Sequence, residues 1–573
     1  MNNLKKVWSG LEKFKKKTVF FAFILLITAS FETLGIGVIY QVLRIITDLG
    51  FIENNLYLTS IKENLSINSN QLIIIILGTI LFIFIIKNTL SVLFIKWQQN
   101  FLNFYDVYIS DTLFTYYINQ PYEQYIKNNS SIYVRNLTVE ISNFKGALQQ
   151  LMTLISEGVI LIFICGALVF LNPIASLIIF CILLLVCSFY FIGPIDSFLK
   201  KSSKERLFFS SKYTKFLIQG LASVKEIRVY QSENEARFEH YNSKKKVNDL
   251  TRHLVVLNAI PKNLFEVITF LLLASYIAYY ALNDKNFLDI IPTIGVYLAA
   301  AYKVLPCIIK ILNSINTLKF QGASIDHIHQ ELKNAKKINN TIEEKNIIKG
   351  FKDLEFKNVS FKYLNTQKYI LRNTSLKIKK GEIVGLRGES GSGKSTLINL
   401  MLGLLEPNNG EILVNGKNLK RHNNNWLKML SYVPQNVFIT DSNIFKNVGF
   451  GKKISEINKT KVTDLLKKLN IFKDIKLKGL NRNLGERGNF FSGGQVQRIV
   501  FARALYKDPD IIFFDEATNG LDKKNEKNIF KLLMKLKDKK TLIISSHNQD
   551  LLNICDYIID LDKGKISKKN LST

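Results

Sequence analysis

The sequence predicts an α-helical polytopic membrane domain with six spans, followed by an α/β domain built around a phosphate-binding loop. Long apolar runs are confined to the first part of the chain and end near residue 312. Beyond residue 352, short apolar strands alternate with amphipathic helices, which is the pattern of an α/β domain. Residues 388–396 read Gly-Glu-Ser-Gly-Ser-Gly-Lys-Ser-Thr. We therefore predict a membrane domain at 1–320, a polar linker at 321–351 and a phosphate-binding domain at 352–573.

Six apolar runs are each long enough to cross a bilayer as a helix. They cover about residues 19–46, 71–96, 148–171, 174–195, 261–283 and 289–312. The first run follows a basic N-terminal segment, but it is too long for a signal peptide and contains Glu32, which predicts an uncleaved span. In the first outer connection, Leu58, Ile61 and Leu65 have helical spacing. This connection is either a short amphipathic helix on the outer membrane surface or a loop with a few packed apolar residues.

The chain is strongly basic, with a formal net charge of +31. Such a charge suits a nucleic acid, an anionic membrane surface or an anionic substrate. A bias towards Lys, Asn and Ile codons would also produce it. The basic N-terminus and the basic connection between the fourth and fifth runs predict that both termini and the long loops face the cytoplasm. The six spans exclude a soluble nucleic-acid-binding protein, so we expect membrane lipids and no nucleic acid as partners.

The stretch at 388–396 lies between a strand-like run and an apolar helical run, as a phosphate-binding loop does. Its glycines let backbone N–H groups point at phosphate oxygens, and the start of the helix adds partial positive charge. Lys394 is predicted to reach the β- and γ-phosphates of a nucleotide, and the Ser395 hydroxyl to bind Mg²⁺. The predicted phosphate-binding residues are Gly388, Glu389, Ser390, Gly391, Ser392, Gly393, Lys394, Ser395 and Thr396.

Two further stretches suit nucleotide binding. Tyr363 lies in a strand-like run ahead of the loop and is predicted to stack on adenine. Residues 491–495 read Phe-Ser-Gly-Gly-Gln and open a helix for which Ser492 is the predicted N-cap. A helix start of this kind is a second anion site, which would use Ser492, Gly493, Gly494 and Gln495.

Four side chains are predicted to carry out hydrolysis. The apolar strand at 511–514 ends in Asp515 and Glu516. Asp515 is predicted to hold Mg²⁺, and Glu516 to act as the general base on water. Gln435 is predicted to sense the metal and the attacking water. His547 follows another apolar strand and is predicted to contact the γ-phosphate.

With these parts in this order, the sequence resembles the ATP-binding cassette (ABC) transporters over essentially its whole length. The resemblance identifies 388–396 as Walker A, Gln435 as the Q-loop, 491–495 as the signature, Asp515-Glu516 as the end of Walker B, and 519–522 as the D-loop. It identifies His547 as the switch histidine. It implies ATP and Mg²⁺ as ligands. It also implies a homodimer, in which each ATP lies between one subunit's Walker A and the other's Ser492, Gly493 and Gly494.

The sequence departs from the usual ABC pattern at two motifs. The signature begins with Phe491 where Leu is usual, and the D-loop has Asn519-Gly520 where Ser-Ala is usual. Neither change removes a phosphate ligand or the base, so we expect active ATP sites. In the exporter branch of the family, short helices in the long cytoplasmic loops dock on the nucleotide domains. The stretches that we assign to these helices are 130–136 and 220–228.

Charged residues within the spans bear on the transported substrate. A lysine at the bilayer centre costs about 2.5–3.5 kcal/mol on insertion scales, so it normally faces a wet cavity or pairs with an acid. The four lysines are Lys87, Lys262, Lys303 and Lys310, and the possible acidic partners are Glu32, Glu157 and Glu266. Two copies of the chain would surround one path with these lysines, which predicts an anionic substrate. The alternative is that they form structural ion pairs or reach to the membrane boundary.

The membrane half also resembles the lipid-linked oligosaccharide flippases of bacterial N-glycosylation. The resemblance rests on the outer-loop helix and on Phe31-Glu32-Thr33, the basic residues near Lys87, Ala259-Ile260-Pro261-Lys262, and Tyr302-Lys303-Val304-Leu305-Pro306. In that branch the basic positions are typically arginines, whereas here they are lysines, which keep the charge but lose bidentate phosphate geometry. The resemblance implies a multi-pass protein of the bacterial inner (plasma) membrane that flips a polyprenyl-pyrophosphate oligosaccharide outward.

Three other functions stay open. The first is export of other lipids or amphipathic drugs. The second is peptide export, which the lack of a peptidase domain ahead of the first span disfavours. The third is a non-transport protein whose ATPase gates a channel or receptor.

Overall fold

The computed structural model describes residues 6, 14–47, 59–60, 64, 68–171, 195–282, 291–339, 350–364, 366–419, 424–518 and 522–570. Within it the chain divides into two compact units. The first comprises residues 1–120 and 128–341, and the second comprises residues 121–127 and 342–573. Each unit is described separately below.

The described residues of the first unit form helices joined by short turns, and none of them lies in a strand. Its α-helices are α1 (Lys15–Thr47), α2 (Ser69–Asn119), α4 (Ser130–Arg135), α5 (Ile141–Leu171), α6 (Ile195–Ala222), α7 (Val224–Val229), α8 (Glu233–Leu282), α9 (Ile291–Phe320) and α10 (Gly322–Asn339). A short helix of the second unit, α3 (Tyr122–Lys127), falls between α2 and α4 in sequence.

Five of the six predicted spans fall on these helices, namely α1, α2, α5, α8 and α9. The fourth, at 174–195, lies outside the described residues apart from its last residue. Leu58, Ile61 and Leu65 of the outer connection also lie outside the described residues. Three stretches within the described residues are long and apolar enough to cross a membrane, at Gln71–Asn119, Ser130–Val169 and Glu233–Leu271. Long apolar helices of this kind satisfy their own backbone polar groups, as a bilayer requires.

A turn of π-helix at Asn136–Glu140 joins α4 to α5, and a buried polar cluster surrounds it. Glu140 is fully buried, and its carboxylate lies 3.8 Å from the Arg135 guanidinium and 3.9 Å from that of Arg206. His327 of α10 lies 3.0 Å from the Asn136 amide oxygen. Burial, together with the Arg135 charge, lowers the pKa of His327, which favours the neutral ring at this position. The cluster ties α4, α6 and α10 together.

The stretch 130–136 was predicted to be a helix that docks on the nucleotide domain. It forms the helix α4 as far as Arg135, and Ser131, Tyr133 and Arg135 are buried within the first unit. Its docking stays a prediction. The other predicted docking stretch, 220–228, contains the short helix α7, which has no buried residue, and its docking stays a prediction.

Helix α3 packs within the second unit, to which it belongs. Tyr122 packs against the core of that unit, and the Glu123 carboxylate accepts a hydrogen bond of 3.0 Å from the backbone N–H of Leu364. The sequence contains a signal for this helix, because proline at the first turn followed by an acidic residue is typical of a helix start. That signal is Pro121-Tyr122-Glu123.

The second unit contains two sheets. Its strands are β1 (Asp353–Phe361), β2 (Leu371–Lys379), β3 (Ile383–Arg387), β4 (Asn409–Val414), β5 (Lys417–Asn418), β6 (Leu430–Val433), β7 (Ile511–Asp515), β8 (Thr541–Ser545), β9 (Tyr557–Asp562) and β10 (Lys565–Asn570). The antiparallel sheet has the order β2-β1-β4-β5, and the larger sheet has the order β10-β9-β3-β8-β7-β6. All neighbours in the larger sheet are parallel except β10, which pairs antiparallel with β9.

Helices cover the larger sheet and add a helical lobe. They are α11 (Lys394–Met401), α12 (Asn424–Met429), α13 (Ile444–Val448), α14 (Lys459–Lys468), α15 (Phe472–Lys478), α16 (Gly493–Tyr506), α17 (Lys523–Met534) and α18 (Gln549–Leu552). One core contains Leu397, Met401 and Phe513 between the two sheets, and a second contains Ile499, Phe501 and Phe514 beneath the lobe. The α/β domain predicted from residue 352 onward is therefore present.

Candidate active site

The parallel strands of the larger sheet bring the predicted site residues to one edge. Leu386 of β3 pairs with Ser545 of β8, and Asp515 of β7 pairs with the same Ser545. On the other side of β7, Val433 of β6 pairs with Phe514. The loops after these four strands therefore start side by side, which is where open parallel sheets form their ligand sites.

The loop after β3 has the backbone of a phosphate cradle. Gly391 and Gly393 have φ angles of +82° and +106°, which a side chain would strain. A Cβ atom at Gly388 would lie 2.6 Å from both the Leu561 carbonyl oxygen and the Ser392 hydroxyl. That Ser392 hydroxyl is buried and has no hydrogen-bond partner among the described residues. A glycine-lined turn with an unpaired buried hydroxyl suits phosphate oxygens.

Lys394 opens α11 and is buried at the centre of this loop. Its ammonium group donates hydrogen bonds to the carbonyls of Gly388 at 2.6 Å and Glu389 at 3.2 Å. It also lies 3.2 Å from Nε2 of His547. The lysine and the histidine, which lie far apart in sequence, therefore meet at one point.

Three of the predicted hydrolysis residues form one cluster. The Gln435 amide donates a hydrogen bond of 2.7 Å to the Glu516 carboxylate, and the His547 ring lies 3.5 Å from the same carboxylate. Glu516 has a φ of +47°, an unusual value for a residue other than glycine. Its N–H donates a hydrogen bond of 2.9 Å to the carbonyl of Ser545, which holds this backbone in place. Strained residues of this kind often occur at active sites.

Asp515 lies next to this cluster and is buried at the end of β7. Burial raises the pKa of its carboxyl group and the neighbouring Glu516 adds to the rise, whereas hydrogen bonds from the hydroxyls of Tyr432 and Ser395 lower it. The Tyr432 hydroxyl lies 3.3 Å from an oxygen of the Asp515 carboxylate. The predicted metal residues Asp515 and Ser395 therefore adjoin each other.

These residues suit a magnesium ion better than a transition metal. Within the part of the chain that the structure describes, no group of three or more His, Cys, Asp or Glu side chains could hold a metal ion. Mg²⁺ needs few protein ligands, because it keeps several waters and shares substrate phosphates. The buried carboxylate of Asp515 and the hydroxyl of Ser395 supply the oxygen donors that it prefers.

Tyr363 lies beside the phosphate loop. Its hydroxyl is 3.2 Å from that of Thr396, and its ring meets the Phe361 ring edge-on at 5.0 Å. The ring is half-buried against the core between the two sheets. The position suits the predicted contact with adenine, which stays a prediction.

The signature stretch forms a helix start, as predicted. Ser492 is the N-cap of α16, and its hydroxyl accepts a hydrogen bond of 3.3 Å from the N–H of Gln495. The Gln495 side chain completes a capping box, accepting from the Ser492 N–H at 3.0 Å, and donates to Asp474 at 3.1 Å. Gln495 therefore supports the helix start with its side chain. Asn519-Gly520 of the D-loop lies outside the described residues.

Phe491, the unusual first residue of the signature, has a specific partner. The Lys478 ammonium group lies 4.2 Å from the centre of its ring, a cation–π contact. The ring also packs against the core beneath the helical lobe. The aromatic residue thus fills the place of the usual leucine and fixes α15 to the start of the signature.

Two of the four span lysines form ion pairs in the structure. The Lys87 ammonium lies 2.8 Å from the Glu32 carboxylate, and both side chains are largely buried. Lys310 lies 2.6 Å from Glu157, with 56% of the lysine side chain exposed. Lys262 is exposed on α8, and the side chain of Lys303 lies outside the described residues. The alternative of structural ion pairs therefore applies to both Lys87 and Lys310.

We expect Lys87→Ala to destabilise the protein, because it leaves Glu32 buried without its counter-charge. Breaking a buried pair in this way costs about 3–5 kcal/mol. A lower midpoint of thermal unfolding in detergent is the expected result, and Lys96→Ala, at an exposed position on the same helix, is the matched control. The double variant Lys87→Met with Glu32→Leu should recover much of the loss. An unchanged midpoint for Lys87→Ala would contradict this structural role.

Sequence reasoning missed two residues near the site, Tyr122 and Tyr432. The structure brings the Tyr432 hydroxyl to Asp515 and packs Tyr122 against the adjoining core. For Tyr432 the sequence offered no signal, because its place beside Asp515 follows from the register of β6 on β7, in which Tyr432 pairs with Phe513.

Comparison with known families identifies the central part of the second unit. The family model "ABC transporter" matches residues 371–519. The chain is 36% identical over 215 residues to the leukotoxin translocation ATP-binding protein LktB of Mannheimia glucosida. It is 37% identical over 215 residues to the alpha-hemolysin translocation ATP-binding protein HlyB of Escherichia coli, and 35% identical over 219 residues to ABC transporter B family member 21 of Arabidopsis thaliana.

These sequence similarities involve only part of each protein. The matches to LktB and HlyB cover 37% of this chain and 30% of each relative, and the match to the Arabidopsis protein covers 38% of this chain and 17% of the relative. The chain therefore spans about 30% of the length of the bacterial relatives that it matches.

A solved structure extends the comparison to the membrane half. A bacterial Atm1-family ABC exporter with ATP bound matches with a TM-score of 0.73, covering 97% of this chain and 95% of that one. The two sequences are 17% identical, so the match defines the fold alone. The fold is that of an ABC exporter, a helical membrane domain followed by an α/β nucleotide-binding domain.

Proposed function

We propose that this chain, an ABC transporter domain joined to a helical domain in an exporter fold, hydrolyses ATP to drive export across a membrane. One observation carries the proposal. Lys394, Gln435, Asp515, Glu516 and His547 come from four separate loops and meet at one edge of the larger sheet. A chance cluster would not combine a phosphate cradle, a buried carboxylate for a metal and a second carboxylate within reach of an amide and an imidazole.

The first step is the binding of the nucleotide phosphates. Lys394 exchanges its bonds to the Gly388 and Glu389 carbonyls for phosphate oxygens, and the loop amides supply further donors. Ser395 and Asp515 would hold Mg²⁺, which would neutralise charge on the β- and γ-phosphates when bound. Tyr363 contacts the adenine.

The second step is the attack of water on the γ-phosphate. Glu516 takes the proton from water, and the Gln435 amide, which donates to this carboxylate at 2.7 Å, fixes its orientation. His547 lies beside both Glu516 and Lys394, so it can donate a hydrogen bond to the γ-phosphate once Lys394 has turned towards the phosphates. The glutamate and the histidine thus act from the same side of the phosphate group.

The working unit in this proposal is a homodimer. The start of α16 at Ser492 and Gly493 is exposed, so its N–H groups are available to a phosphate from outside the chain. Each chain carries one phosphate loop and one such helix start, and two copies would pair them twice. The first unit would then lie in the bacterial inner membrane with the nucleotide domains in the cytoplasm.

For the substrate we propose an anionic lipid, and more specifically a polyprenyl-pyrophosphate oligosaccharide moved to the outer leaflet. The support is Lys262 and Lys310, whose side chains are exposed within helices α8 and α9. In two copies Lys262 would give two accessible cations for one pyrophosphate, and Lys310 would add two more if the substrate displaces Glu157 from its ammonium group. Lys87 does not contribute, because it is buried and Glu32 neutralises it. The toxins in the names of LktB and HlyB do not bear on this choice, since the similarity lies in the domain that binds ATP.

Reconstitution in liposomes tests this proposal. We expect ATP-dependent loss of access to a polyprenyl-pyrophosphate oligosaccharide, and Lys262→Ala with Lys310→Ala should lower the amount moved per ATP hydrolysed. Lys246→Ala, at an exposed position elsewhere on α8, is the control. ATP hydrolysis without lipid movement would overturn the substrate proposal and favour export of drugs or other lipids. An absence of ATP hydrolysis would overturn the transport proposal as a whole.

A further inference from the structure

The metal side of the nucleotide site contains one polar contact that ATP hydrolysis by the usual ABC residues does not require. Tyr432 lies on β6, the edge strand of the larger sheet. Its hydroxyl lies 3.3 Å from Oδ2 of Asp515, so the neutral hydroxyl donates a hydrogen bond to the carboxylate. The contact has a structural origin, because Tyr432 pairs with Phe513 and its side chain lies on the face that Asp515 also occupies.

We propose that Tyr432 is a positioning residue that orients the Asp515 carboxylate for Mg²⁺. The inference rests on the proposed function. In it, Asp515 has the metal-binding role and Tyr432 acts through Asp515 without touching the ion. Residues that orient a metal ligand typically change metal affinity by about 10- to 100-fold when they are replaced.

The experiment measures metal affinity separately from hydrolysis. The full chain in detergent carries Glu516→Gln, so that ATP persists, and Mn²⁺ replaces Mg²⁺ as a paramagnetic probe. Tyr432→Phe keeps the ring and removes only the hydroxyl. We expect it to weaken Mn²⁺ binding to the ATP-loaded protein by about tenfold or more, with ATP binding in the absence of metal unchanged. A general loss of structure would instead weaken both Mn²⁺ binding and metal-free ATP binding.

Tyr557→Phe is the matched control. Tyr557 lies on β9 of the same sheet. Its hydroxyl has two acceptors within reach, the Lys377 carbonyl at 3.2 Å and the Glu382 carboxylate at 3.1 Å, and neither is Asp515. The Tyr557→Phe variant should leave the affinity for Mn²⁺ unchanged. If Tyr432→Phe behaves like Tyr557→Phe, the role of Tyr432 is wrong. If the parent protein binds no Mn²⁺ with ATP, the ATP-site assignment itself is wrong, so the two failures are distinct.

Discussion

Replacing Glu516 with Gln is expected to lower ATP turnover by at least about a hundredfold while preserving ATP binding. The amide cannot accept the proton of the attacking water, but it matches the carboxylate in shape. It can keep the hydrogen bond that the Gln435 amide donates at 2.7 Å, with its own amide oxygen as the acceptor. Because phosphate binding depends on Lys394 and the loop amides, the substitution leaves the affinity for ATP close to that of the parent.

Phosphate release and ATP binding, measured on the same preparation, provide the test. Glu411→Gln is the matched control, because it makes the same chemical change at an exposed position on β4. It should hydrolyse ATP at the parent rate. Turnover of Glu516→Gln within a few fold of the parent would mean that another group, with His547 the nearest alternative, takes the proton.

The nucleotide site could be predicted from sequence because each part is local. Gly388 to Thr396, the Asp515-Glu516 pair and the Ser492 cap are short segments whose own residue types dictate strand, turn and helix start. The strand register that aligns them follows from parallel pairing, in which the carboxyl ends of strands share one edge. The convergence of Lys394 and His547 at 3.2 Å is the three-dimensional result of these local rules.

The contacts that the sequence did not predict depend on packing between distant segments. The stretch at 130–136 has the composition of an exposed amphipathic helix, but Arg206 and His327 supply partners that bury its polar side chains. Tyr432 precedes Gln435 by three residues, yet nothing local distinguishes a core tyrosine from one that reaches a carboxylate on the next strand. From the sequence, Lys87 could pair with any of three glutamates, and the packing of the helices brings it to Glu32.

Replacing Lys394 with Ala is expected to weaken ATP binding by about 10- to 100-fold and to abolish turnover at ordinary ATP concentrations. A hydrogen bond to a charged group contributes about 1.5–3 kcal/mol, and each 1.4 kcal/mol is about tenfold in affinity. Lys394 is buried in a loop with two carbonyls within 3.2 Å, so no neighbouring lysine can take its place at the phosphates.

Lys394→Arg separates charge from shape at this position. The guanidinium keeps the positive charge, but its planar fork does not fit a pocket that holds a compact ammonium 2.6 Å from the Gly388 carbonyl. We therefore expect Lys394→Arg to bind ATP almost as weakly as Lys394→Ala. Lys380→Ala, at an exposed position ahead of β3, controls for the loss of one positive charge and should bind ATP normally. Full affinity in Lys394→Arg would mean that charge alone recruits the phosphates, and that the carbonyls of Gly388 and Glu389 do not define the site.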